Sequence, residues 1–329
     1  MLKRFLIVQG AVWSVIALAF AGAIAFGGPG TLPPLASVTN AVLKRDRSDL
    51  PSVQRFTARD GTPLAYRAYP APSGHVAAVL IHGSVGSGVD MHEIGKALAA
   101  AGVSAYAPDL RGHGASGAHG DIAYIGQLED DLADLLDELE RQSDPAKGRG
   151  PATRVLIGHS SGGGLALRVA ASPLGQRFVG AILLAPALGP DAPTARPAAG
   201  GWVSVGLPRI IAIAILERAH IHALGGLPVL AFAVAPSDAV TPVYSFRLTV
   251  NFAPHRPWTD DVAAASGPLI VIVGDKDQLF RADQYPVAFR ASRDARVQIL
   301  PGVDHMGVTG DATALAAVVT DTAKLTGDH

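Results

Sequence analysis

The chain has 329 residues, of which 49% are hydrophobic and only 17% charged, with a formal net charge of −1. Ordinary globular domains carry about 25% charged residues, so this composition excludes a disordered chain and calls for membrane-embedded or deeply buried segments. The 27 basic residues are scattered and offset by 28 acidic ones, which argues against nucleic-acid binding, and the lack of cysteine removes disulfides, thiolate nucleophiles and thiolate metal sites.

The apolar excess begins at the N-terminus. Phe5 to Phe26 is almost wholly apolar; as a helix it spans about 33 Å, matching a hydrocarbon core of about 30 Å. Lys3 and Arg4 precede it and the next charge is Lys44, so the positive-inside bias puts the start in the cytoplasm and the rest outside it. Small-x-small sites at Ala21-Gly22-Ala23 and Ala23-Ile24-Ala25 also permit a cleaved signal peptide and a secreted protein. The run exceeds the usual 7–15 residues of such peptides, which favours an uncleaved signal anchor over residues 1–28. Residues 29–51, with Pro29, Pro33 and Pro34, read as a linker.

Beyond it, Val53-Gln54-Arg55-Phe56 and Leu64-Ala65-Tyr66-Arg67 flank Asp60-Gly61, the pattern of an antiparallel hairpin. Continuous apolar runs follow at Ala77–Ile81, Val103–Ala107, Val155–Ile157, Val179–Leu184 and Leu269–Val273. They suit parallel strands buried on both faces and joined by crossover helices, an α/β arrangement over residues 52–186 and 268–329. A helix is predicted from Tyr124 to about Arg141, with Ile125, Leu128, Leu132, Leu135, Leu136 and Leu139 on its buried stripe and its acidic residues forming a solvated face. Between Pro186 and Pro268 about 80 residues break the rhythm, too many for a simple loop, so 187–267 is predicted to be an insertion with structure of its own. It contains the apolar runs Ile210–Leu216 and Leu227–Val234 and the aromatics Trp202, Tyr244, Phe246 and Trp258.

Chemistry concentrates at strand ends. Gly158-His159-Ser160-Ser161-Gly162 is a G-x-S-x-G directly after a predicted strand, where glycines let a strained turn expose the serine hydroxyl. A serine needs a base, and the base a carboxylate. The run 268–273 ends in Gly274-Asp275-Lys276-Asp277, and the run 297–300 leads into Asp304-His305, giving the order Ser, Asp, His with either aspartate available. After Val79-Leu80-Ile81, the turn His82-Gly83-Ser84-Val85-Gly86-Ser87-Gly88 offers backbone N–H groups to an oxyanion, and the Ser84 and Ser161 amides are the expected pair. His82 is expected to anchor this loop rather than to act chemically. No nucleotide-loop lysine follows these glycines. His220 and His222 do not share a helix face and have no evident third ligand, so no metal or other cofactor is expected.

With Asp109-Leu110-Arg111-Gly112-His113-Gly114-Ala115-Ser116 added to these motifs, the chain resembles α/β-hydrolase fold enzymes of the monoacylglycerol lipase, lysophospholipase and serine aminopeptidase-like branch. The resemblance runs from about Val53 to the C-terminus, the insertion apart. It implies an eight-stranded, mostly parallel sheet with a cap after strand six. It also implies Ser160 as nucleophile, His305 as general base and Asp277, rather than Asp275, as the acid that orients it. The expected activity is serine hydrolysis of carboxylic esters, with lipid-like substrates favoured by an apolar cap and a membrane anchor. Acyl transfer or aminopeptidase activity by the same triad, and an inactive membrane-tethered binding module, are the alternatives.

Overall fold

The computed structural model describes residues 2–36, 46–72, 75–142, 153–235, 240–292 and 294–327. Its strands in chain order are β1 (Val53–Thr57), β2 (Pro63–Tyr69), β3 (Val76–Ile81), β4 (Ser104–Pro108), β5 (Thr153–His159), β6 (Gly180–Leu184), β7 (Val203–Val205), β8 (Pro228–Phe232), β9 (Val243–Ser245), β10 (Leu269–Gly274) and β11 (Ala295–Leu300). Eight of them form one sheet in the order β1-β2-β4-β3-β5-β6-β10-β11. The β1–β2 and β2–β4 pairs are antiparallel and the remaining pairs parallel. Every residue of β3, β6 and β10 is buried, which is why these strands read as unbroken apolar runs rather than alternations.

The longer helices are α1 (Leu2–Phe26), α2 (His92–Ala100), α3 (Gln127–Arg141), α4 (Ser161–Ala170), α5 (Leu207–Arg218), α6 (Phe246–Asn251), α7 (Trp258–Ala264) and α8 (Ala312–Thr326). The hairpin, the parallel strands and an insertion after β6 agree with the sequence reading. Two details do not. Helix α3 begins at Gln127, not Tyr124, because Gly126 takes φ +109° and stops the helix there, leaving Tyr124 and Ile125 exposed. The N-terminal amides around that turn are held by Asn251 Oδ1, which accepts from Gly126 and Leu128 at 2.9 and 3.1 Å. Nor is the acidic side of α3 merely solvated: Asp131 is buried and takes both Arg111 Nε and Nη2 at 2.8 and 2.7 Å, Glu129 pairs with Arg168, and Arg59 bridges Asp130 and Asp134. A buried carboxylate needs such partners to offset its desolvation.

The insertion builds its own antiparallel sheet, β7-β8-β9. It also grips the end of α1. Arg209, at the start of α5, donates from Nε to the Ile24 carbonyl at 2.7 Å and from Nη2 to the Ala25 carbonyl at 3.0 Å, satisfying carbonyls that a helix C-terminus leaves without partners. The chain then runs along the insertion: the Gly30 amide donates to Ser204 Oγ at 3.0 Å and the Leu35 amide to the Ala233 carbonyl at 2.7 Å. This part of the expected linker is therefore docked; its residues 37–45 lie outside the described ones. Over Gln9–Phe26 α1 is long and apolar enough to cross a membrane, and none of that stretch is buried by the rest of the chain.

Candidate active site

The site sits at the carboxyl ends of the parallel strands, where loops from neighbouring strands converge. Register decides which loops meet. Ile81 pairs with Gly158, so β3 and β5 end level and the His82–Gly88 loop lies beside Ser160. Gly274 pairs with Leu300, so the turns after β10 and β11, which carry Asp277 and His305, also leave the sheet side by side.

Ser160 occupies the turn between β5 and α4 with φ +54° and ψ −119°, a conformation that ordinary residues adopt only under constraint. Tight packing supplies the constraint. A Cβ at Gly158 would run into the Gly162 carbonyl, and one at Gly162 into the His82 carbonyl, so only glycine at both positions lets strand, helix and the His82–Gly88 loop come this close. The Ser160 amide donates to the Leu184 carbonyl at 2.8 Å and its carbonyl accepts from Gly164 and Ala187 at 3.1 and 2.9 Å. The backbone is thus pinned on both sides, while the side chain faces a cleft lined also by Gly83, Ser84, His305, Leu279, Met306 and Trp202.

His305 is buried and its Nδ1–H donates to Asp277 Oδ2 at 2.8 Å. The other oxygen of Asp277 accepts the Leu279 and Phe280 amides, each at 2.8 Å. Three donors hold the buried Asp277 side chain in place, and its bond to Nδ1–H fixes the proton there, leaving Nε2 as the acceptor. Asp275 does otherwise: its Oδ1 accepts the Gly302 amide at 2.7 Å and its side chain is exposed. The His305 backbone is held too, with its amide on Gln278 Oε1 at 3.3 Å and its carbonyl accepting from His159 Nε2 at 3.1 Å.

Ser161 is the first residue of α4, so its amide is one of those that a helix start leaves without an intrahelical acceptor, at the positive end of the helix dipole. Ser84 lines the cleft, and among the described residues no acceptor takes its amide hydrogen. His82 anchors the loop as expected: its Nδ1–H donates to the Gly83 carbonyl at 2.7 Å and its Nε2 accepts the Leu110 amide at 3.1 Å. Behind it lies His113, whose ring centroid is 5.0 Å away. Burial holds both imidazoles below their usual range, and His82 adds to the effect on His113.

That pair sets an expected acid sensitivity. A folded pKa below the unfolded 6.5 means that the unfolded chain binds the proton first as pH falls. Stability is therefore full above about pH 6.5 and is lost below it, by up to about 1.4 kcal/mol per pH unit for each histidine. The Tm of the chain is expected to drop between pH 7 and 5, with a shallower slope in His113→Asn; a Tm independent of pH over that range would refute it.

A family model for serine aminopeptidases, S33, matches residues 72–310. The chain belongs to this S33 family. A monoacylglycerol lipase of Mycolicibacterium smegmatis is 26% identical over 267 residues, covering 77% of this chain and 90% of that protein. Among solved structures, the monoacylglycerol lipase of Paleococcus ferrophilus superposes with a TM-score of 0.59 at 17% identity, covering 81% of this chain and 99% of that one. A soluble variant of Saccharomyces cerevisiae monoglyceride lipase, in complex with a substrate analog, gives 0.61 at 18% identity, with 86% and 97% covered. At such identities these structures establish the fold, the α/β-hydrolase architecture, for this S33 member. Sequence reasoning about the S33 site missed the contacts made by the insertion. Trp202 Nε1 donates to Ser84 Oγ at 3.1 Å and Tyr244 Oη accepts the Val85 amide at 2.8 Å; no local pattern marks aromatics that act across such separations.

Proposed function

We propose that this protein is a serine hydrolase that cleaves carboxylic esters carrying one long acyl chain, of the monoacylglycerol or lysophospholipid kind, at a membrane surface. The observation that carries the chemistry is the buried His305–Asp277 pair, 2.8 Å apart, whose histidine lines the same cleft as the strained Ser160. His305 Nε2 takes the Ser160 proton as Oγ attacks the ester carbonyl, and the amides of Ser84 and Ser161 hold the developing oxyanion. Protonated His305 returns the proton to the departing alcohol, then activates water to cleave the acyl-enzyme. Asp277 holds the imidazole tautomer and stabilises its cation throughout.

Substrate and location rest on the apolar surfaces. Leu207, Ile211 and Ile215, spaced four residues apart on α5, are each more than half exposed, and α5 is the helix that Arg209 joins to the end of α1. An aliphatic stripe continuous with a membrane-length helix favours contact with lipid over water. The similarity to monoacylglycerol lipases supports the same reading. In it, α1 remains as an anchor, the catalytic domain lies outside the cytoplasm and the segment 187–267 serves as the cap over the cleft. Direct gripping of α1 by Arg209 favours retention over cleavage.

The test uses the full-length chain from a membrane fraction. Its mass is expected to include the first 26 residues, and it is expected to hydrolyse a long-chain monoacylglycerol in mixed micelles with a higher kcat/KM than p-nitrophenyl acetate or an aminoacyl anilide. Cleavage of the short ester with none of any long-chain ester would overturn the lipid assignment, and cleavage of the anilide alone would move the activity to amides.

A further inference from the structure

The loop that carries Ser84 is held by the insertion at three points. Trp202 Nε1 donates to Ser84 Oγ at 3.1 Å, the Thr241 amide donates to the Val85 carbonyl at 2.9 Å, and the Val85 amide donates to Tyr244 Oη at 2.8 Å. Val85 needs this support. Its φ is +63°, a region that β-branched residues enter only when surrounding contacts over-determine them. Both of its backbone hydrogen-bonding groups are tied to the insertion, so the insertion imposes the conformation of the residue next to Ser84.

The Tyr244 hydroxyl is itself fixed. It donates to His113 Nε2 at 2.5 Å, and His113 Nδ1–H in turn donates to the Arg111 carbonyl at 3.2 Å. Burial keeps His113 neutral and keeps the Tyr244 proton on its oxygen, so the direction of this chain is set: tyrosine gives to histidine and receives from Val85. The ring is wedged by Phe232, at 4.7 Å between centroids, and by His113 at 5.2 Å, both edge-to-face. Tyr244 thus bridges the sheet of the insertion, the loop after β4 and the oxyanion loop through one oxygen atom.

We propose that Tyr244, assisted by Trp202, is a positioning residue for the oxyanion hole, through which the seating of the insertion on the core sets the rate of the chemical step. The proposal rests on the assignment of Ser160 and the Ser84 amide made above. Without the hydroxyl, a buried Val85 N–H loses its acceptor and His113 loses its donor. Val85 can then relax toward negative φ, and the shift of the chain at Ser84 passes to the preceding Gly83–Ser84 peptide, carrying the Ser84 amide away from the place where the oxyanion forms. Because that charge exists only in the transition state, the loss falls on kcat rather than KM.

Tyr244→Phe removes the one oxygen and keeps the ring. For both short and long esters it is expected to lower kcat by about 10–100-fold, somewhat less than deletion of an oxyanion donor itself, with KM changed by less than about twofold. The rate of fluorophosphonate labelling should fall in parallel, because the phosphonyl oxygen uses the same hole, while the fraction of molecules finally labelled stays at the wild-type level. A purely structural role would lower that fraction and leave turnover per labelled site unchanged, which would overturn the proposal, as would a folded Tyr244→Phe with wild-type kcat. If Tyr244→Phe does not fold, Trp202→Phe decides: a smaller kcat loss with unchanged KM supports the proposal and an unchanged kcat overturns it. Failure of the wild type to label at all would instead overturn the assignment of Ser160 itself.

Discussion

Ser160→Ala is expected to abolish fluorophosphonate labelling and to reduce ester turnover by about 10⁶-fold, near 8 kcal/mol of transition-state stabilisation, in a protein that still folds. The size of the loss follows from the absence of a substitute. Ser161 is the neighbouring hydroxyl in sequence, but it is the first residue of α4, one position past the strained turn that presents Ser160 to the cleft. Ser84 does line it, yet its Oγ accepts from Trp202 Nε1 and is the hydroxyl of the oxyanion loop rather than of the nucleophile turn. Alanine keeps the Cβ that the turn already accommodates, so the backbone that Leu184, Gly164 and Ala187 pin is left in place. A residual rate about 10³–10⁴ above water is expected from the oxyanion hole and substrate binding. Labelling that persists in Ser160→Ala and disappears in Ser84→Ala would transfer the nucleophile to the other loop.

What the amino-acid sequence disclosed about this site follows from how local each constraint is. The tight turn at Ser160 was legible because close approach of strand, helix and loop demands small residues at Gly158 and Gly162, within two positions of it. The strands were legible because burial on both faces leaves no polar alternation. His305 and the two aspartates could be placed at strand ends, but spacing alone left Asp275 and Asp277 open, and the family resemblance made the choice. The start of α3 was misjudged because Tyr124 and Ile125 continue the helical periodicity, and only the φ of Gly126 breaks it. The acidic face of α3 was misjudged for a different reason: its partners Arg59, Arg111 and Arg168 come from distant segments. The same holds for Tyr244, 159 residues away from the amide it accepts. Contacts of that range are fixed by topology, and a periodicity or motif carries no trace of them.

Asp277→Asn is expected to lower kcat about 10⁴-fold with little change in KM, whereas Asp275→Asn should stay within a few-fold of the wild type. The geometry forces the difference. At Asp277 one carboxylate oxygen receives two amide hydrogens, from Leu279 and Phe280, and the other receives His305 Nδ1–H. An asparagine there must point its oxygen at the two backbone donors, since its NH₂ would leave the buried Leu279 amide and the half-buried Phe280 amide facing a donor. Its NH₂ then faces Nδ1, which can meet it only by becoming an acceptor. The imidazole proton moves to Nε2, the atom that must accept from Ser160, and the base is blocked while the fold is kept. At Asp275 the single backbone bond, from the Gly302 amide, ends on one oxygen at the surface, and asparagine can supply the same acceptor. Steady-state kinetics on a soluble ester, with Tm measured on both variants, checks the pair. Retained turnover in Asp277→Asn together with loss in Asp275→Asn would mean that the imidazole reorients to the outer carboxylate during catalysis, against the three hydrogen bonds that hold Asp277 in the resting fold.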